Sequence, residues 1–74
     1  MTDEIRHPEE VITPLATINA PWSRELTLSA VEHDSGLNIL RLRIKEGRAR
    51  FTIIDLDKPT VEALMAVMGE WSGR

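Results

Sequence analysis

Cysteine is missing from the 74-residue chain, as is tyrosine, and Trp22, Phe51 and Trp71 are its only aromatics. Without thiols, neither a disulfide nor a thiolate-bound metal can staple the fold. The two histidines, His7 and His33, lie far apart in sequence and do not suggest a structural zinc. A domain of this size without staples commonly completes its core by oligomerising. Long apolar runs are missing too. The longest uncharged stretch, Val11 to Ser23, carries Pro14 and Pro21 and is too short and interrupted to span a bilayer. The N-terminal MTDEIRHPEE is acidic where a signal peptide is basic and then apolar. These absences lead to the expectation of a single cytoplasmic domain that does not enter a membrane.

What is present is a strong segregation of charge. The chain as a whole carries −3, yet residues 39–54 hold five arginine or lysine residues against one glutamate, a net +4. A charge cluster is most often a solvated face, so the question is which face these residues share.

Periodicity answers part of it. Residues 1–10 are charged and poor in apolar side chains, the pattern of a flexible acidic arm, and residues 11–74 form the domain. Residues 11–22 are irregular and interrupted by Pro14 and Pro21, which confines them to a partial edge strand. From Arg24 the alternation is strict. A three-residue turn at Asp34-Ser35-Gly36, with Gly36 left-handed, sets Leu26 opposite Ile44, Leu28 opposite Leu42 and Ala30 opposite Leu40. A two-residue loop would instead place Leu28 beside Arg43, so the hydrophobic pattern selects the longer turn. A two-residue loop at Glu46-Gly47 then sets Leu42 opposite Phe51 and Ile44 opposite Ala49. Both turns yield one continuous apolar face and predict a meander over residues 24–55. Asp57 and Pro59 open a helix over 58–71, as N-cap and first-turn proline. Val61, Leu64, Met65, Met68 and Trp71 recur along one stripe of that helix. The expected class is α+β: a three- to four-stranded antiparallel meander packed on one C-terminal helix.

The same pairing dictates the outer face. Arg41, Arg43, Lys45, Arg48 and Arg50 share it, with Arg43 directly opposite Arg50, an unfavourable like-charge pair. Val31, Ile39 and Ile54 form an apolar triplet at its far end. Three accounts of this face compete. The arginine and lysine stems lie along the strands with their heads in water. Alternatively, protein covers the face, residues 11–18 supplying apolar groups and Glu9 and Glu10 the anions. In the third account, a nucleic-acid backbone tracks the basic residues. The shortage of outward aromatics on which bases stack, Trp22 being the one available, argues against the third.

Catalytic chemistry finds little footing. His33-Asp34-Ser35-Gly36 brings an imidazole, a carboxylate and a hydroxyl together, but Asp-Ser-Gly is ordinary turn chemistry and a turn tip lacks pocket walls. Asp55 and Asp57 are too few to hold a hard metal, and Asp57 is committed to the cap. No catalytic residue, metal site or cofactor is expected.

The run RELTLSAVEHDSGLNILRLRIKEGRARFTIIDLDKPTVEALMAVMGEW, Arg24 to Trp71, resembles small bacterial proteins of a family without assigned function. Its order of strands then helix is also similar to the single-stranded-DNA-binding transcriptional coactivator fold. That second resemblance implies a dimer presenting sheet faces to nucleic acid. Taken with the residues themselves, the expected function is a non-enzymatic protein interaction module acting as a homodimer, another protein being a further partner. The interface would lie at Val31, Ile39 and Ile54. The alternative is binding of single-stranded DNA or RNA through Arg41, Arg43, Lys45, Arg48 and Arg50.

Overall fold

Four antiparallel strands in sequential order, β1 (Glu10–Ala20), β2 (Arg24–His33), β3 (Asn38–Glu46) and β4 (Arg50–Leu56), are followed by one helix, α1 (Lys58–Ser72). The structure is a computed structural model and describes residues 10–74. The expected arm lies outside the described residues, apart from Glu10, which opens β1. The class is therefore α+β, a four-stranded antiparallel meander packed against a C-terminal helix.

The first surprise is β1, an eleven-residue strand where the prolines suggested a fragment. Two features accommodate Pro14. The strand lies at the sheet edge, where an absent N–H removes no ladder bond on the outer side. The register also shifts between Pro14 and Ala16, so Leu15 is taken up in a bulge. The β1–β2 turn, Pro21-Trp22-Ser23, holds both Trp22 and Ser23 at φ 60°, the left-handed region that side chains with a Cβ avoid.

The β2–β3 turn matches its sequence signature. The Gly36 N–H donates to the His33 carbonyl and the His33 N–H to that of Leu37, both at 2.9 Å, and Gly36 has φ 91°. Leu26 pairs with Ile44, Leu28 with Leu42 and Ala30 with Leu40, as expected.

The β3–β4 register does not match. Glu46 pairs with Arg50, Ile44 with Thr52, Arg43 with Ile53 and Leu42 with Ile54. The connection is the three-residue Gly47-Arg48-Ala49, not the two-residue Glu46-Gly47. The physical reason is local. A two-residue hairpin turn asks for positive φ at its first central position, which would force Glu46 left-handed. The longer loop asks it of Gly47, which has φ 70°. The partners move by three positions, an odd number, so every β4 side chain changes face. Leu56 and Ile54 join the aliphatic face beside Leu40 and Leu42, while Phe51, Ile53 and Asp55 join the arginines.

Asp57 is the only residue between β4 and α1. Its carboxylate accepts from the Thr60 N–H at 3.0 Å, and Pro59 sits in the first turn, as expected of the cap. The helix packs against the sheet at β3, and Val61 is its one half-buried residue. The rest of α1 is exposed, including Met65, Met68 and Trp71, at 64%, 62% and 71%. The molecule is correspondingly long. Its Cα radius of gyration is 15.4 Å, against ~11 Å for a compact chain of this length. A longest dimension of 56 Å is close to a ten-residue strand of ~33 Å and a fifteen-residue helix of ~22 Å laid end to end.

Candidate interaction surface

The two sheet faces have different chemistry. One is aliphatic: Leu26, Leu28 and Ala30 on β2, Leu40, Leu42 and Ile44 on β3, Ile54 and Leu56 on β4, and Ala16 and Ile18 on β1. None of these is fully buried. Among the described residues only Val31 is, and it lies on the opposite face between its partners Ile12 and Ile39.

That opposite face holds only part of the expected basic set. Arg41, Arg43 and Lys45 alternate along β3 and share it. Arg48 belongs to the β3–β4 loop. Arg50 is on the aliphatic side, where Glu46 stands between it and Arg24, whose Nε lies 3.9 Å from a Glu46 oxygen. The repulsive Arg43–Arg50 pair does not occur, and Arg50 faces an opposite charge instead. The apolar triplet also divides. Val31 and Ile39 pair on the basic side, while Ile54 pairs with Leu42 on the other.

The basic side chains of this face differ in their surroundings. Arg41 donates two hydrogen bonds to the Asp55 carboxylate, at 2.8 and 3.0 Å. These bonds hold the Asp55 carboxyl below its ordinary pKa against the opposing effect of burial, with the charge of Arg41 adding to them, and they raise that of Arg41. His33 Nε2 approaches Glu10 at 3.7 Å on the same face. Arg43 lies over the Phe51 ring, its guanidinium carbon 4.2 Å from the centroid. Lys45 sits between Glu25 and Phe51 in the register. The face is a mosaic of opposite charges and apolar groups, not a uniform cationic surface. Phe51 was expected inside; its place among the cations is the one feature that improves the case for base stacking.

Asp57 is likewise occupied. Hydrogen bonds donated to its carboxylate by the Thr60 side chain and the Thr60 backbone N–H hold its carboxyl below the ordinary range. Neither Asp55 nor Asp57 is thus idle, and no group of three potential metal ligands occurs among the described residues. No described helix is long and apolar enough to cross a membrane.

The feature that sequence reasoning missed is the helix surface itself. Its stripe was expected to be core, yet Met65, Val67, Met68 and Trp71 line an open apolar patch with Gly69 and Ser72 at its margin. Trp22, 83% exposed at the opposite end of the sheet, adds a second apolar outpost.

Residues 9–74, nearly all of the chain, match the profile of a family described as being of unknown function, DUF6967. The chain belongs to that family. No curated protein and no solved structure matches it. The likeness to the DNA-binding coactivator fold thus finds no solved counterpart, and what is established for this DUF6967 member is its family and its α+β architecture.

Proposed function

We propose that this DUF6967 protein is a non-enzymatic interaction module that works as a homodimer. The observation that carries the reading is the coincidence of two uncovered apolar surfaces in one small chain, the α1 stripe and the aliphatic face of the sheet. Exposed apolar patches of several hundred Å² are uncommon on monomers. On the helix, Met65, Val67, Met68 and Trp71 each keep more than 60% of their surface exposed. Sedimentation equilibrium over a range of concentrations tests the reading. A mass of two chains is expected, and a mass of one chain at every concentration refutes it.

A second reading, binding of single-stranded nucleic acid, draws on Phe51 lying among Arg43 and Lys45. It is weaker. Asp55 neutralises Arg41, Glu25 stands opposite Lys45, and Arg50 has left the face, so few free cations remain to track phosphates. Salt-sensitive retention of an oligonucleotide by the unmodified protein would reverse this ranking.

A further inference from the structure

We propose that α1 is an exchanged element: in the homodimer, the helix of each copy lies across the aliphatic sheet face of the other. The inference rests on the homodimer reading and specifies its geometry.

The argument begins at the hinge. An element that folds back over its own sheet ordinarily does so through a βα connection of about two to six residues. Here β4 ends at Leu56 and α1 begins at Lys58, leaving Asp57 alone. Asp57 is extended, at φ −86° and ψ 173°, and its carboxylate is bound to the Thr60 N–H. Pro59, two residues on, stiffens the first turn of the helix. The connection has little slack with which to reverse direction, so the helix meets the sheet at β3 and only Val61 is partly covered. A short, stiff hinge between two complementary surfaces is the condition that favours exchange between copies over closure within one.

The surfaces fit in size and chemistry. Fifteen residues make a helix of ~22 Å, shorter than the nine- and ten-residue strands it would cross. Strands β2, β3 and β4, spaced at ~4.8 Å, offer an aliphatic strip about as wide as one helix, 10–12 Å. Leu28, Leu42 and Ile54 stand abreast on adjacent strands in the middle of that strip. Met65 and Met68 bring flexible side chains that fill the grooves between branched ones. The exchange is reciprocal, so one two-fold operation covers both helices and both sheets and the assembly closes at two copies. Helix-to-helix pairing would leave both aliphatic sheets in water, which is why the sheet is the occupied surface.

The absence of cysteine permits a direct test. Thr52 lies on the aliphatic face opposite Ile44, and Met68 lies on the helix stripe. Chains carrying Thr52→Cys and Met68→Cys are co-expressed and treated with a short bis-maleimide, and linked peptides are identified by mass. Links joining a T52C chain to an M68C chain, in a sample sedimenting as two chains, are the expected result. M68C–M68C links alone, at the same mass, would overturn the exchange and leave the homodimer reading standing. A one-chain mass for the unmodified protein would overturn both. As a second arm, a flexible Gly/Ser insertion between Leu56 and Asp57 gives each helix access to its own sheet at an effective concentration of order mM, which should weaken the dimer by roughly a hundredfold at micromolar protein. An undiminished dimer in the lengthened chain would also overturn the exchange.

Discussion

Arg43 holds its guanidinium over the face of Phe51, 4.2 Å from the ring centroid, although the two residues are not direct cross-strand partners. Arg43 pairs with Ile53, and Phe51 with Lys45, so the contact runs diagonally across β3 and β4. Diagonal neighbours on one face are within reach of long and aromatic side chains, and the positive guanidinium meets the negative face of the ring. The contact therefore reports the β3–β4 register. A double-mutant cycle with Arg43→Ser and Phe51→Leu, read by urea unfolding, should give a favourable coupling of about 0.5–1 kcal/mol. Arg43→Ser and Arg50→Ser should show no coupling, since their side chains occupy opposite faces.

The Arg41–Asp55 pair predicts an acid limb. Because the folded pKa of Asp55 is depressed, the stability it contributes is complete above its unfolded value near 3.9 and is lost as pH falls through the folded value. Asp57 titrates in the same sense, through its bonds to Thr60. Thermal stability should stay level from neutral pH to about 5 and fall below about 4. Asp55→Asn should cost about 0.5–1 kcal/mol at pH 7, as an exposed but bidentate pair. Its deficit relative to the parent should vanish in acid, when both proteins carry a neutral side chain there. A deficit independent of pH would mean that the ion pair is not its source.

The β1–β2 turn stores strain that a single substitution should release. Ser23 has φ 60° and no compensating hydrogen bond from its hydroxyl among those formed by the described residues. A left-handed residue with a Cβ costs about 1–2 kcal/mol, part of which glycine recovers. Ser23→Gly is expected to raise the unfolding free energy by up to about 1 kcal/mol in denaturant melts. A loss of stability would show that this turn is not strained as described.

The same physics explains what was legible in the sequence. The β2–β3 register could be read because only one side of β2 offers Leu26, Leu28 and Ala30, and because Gly36 sits where the turn needs positive φ. The β4 register could not be read from periodicity. Its residues are apolar on both sides, Phe51 and Ile53 on one and Ile54 and Leu56 on the other, so either face looks like a core. The deciding terms lay elsewhere: the backbone cost of a left-handed Glu46, and the gain from setting Asp55 beside Arg41. The extent of β1 was obscured by Pro14, whose penalty depends on an edge position that composition does not reveal. The helix stripe was read as core, yet Met65, Met68 and Trp71 are exposed in the chain. Its exposure goes with the one-residue connection at Asp57, a feature of length and not of hydropathy.

That hinge yields a spectroscopic prediction, because the two tryptophans are placed in opposite circumstances. Trp22 stands 83% exposed at the β1–β2 turn, while Trp71 ends the apolar stripe of α1. In a homodimer built on that stripe, Trp71 passes from water into an apolar contact and Trp22 does not. With Trp22→Phe as the background, emission from Trp71 should be blue-shifted and poorly quenched by acrylamide in concentrated samples. It should move to the red and become quenchable on dilution. With Trp71→Phe as the background, the Trp22 signal should not follow concentration. Replacing Trp71 also removes a large aromatic from the interface, a type of change that commonly costs about 2 kcal/mol or more of binding free energy. The W71F protein, which keeps a ring, should lose less and still associate; Trp71→Ser should shift the mass in sedimentation towards one chain. A Trp71 signal that ignores concentration while the protein sediments as two chains would place the dimer contact away from the α1 stripe.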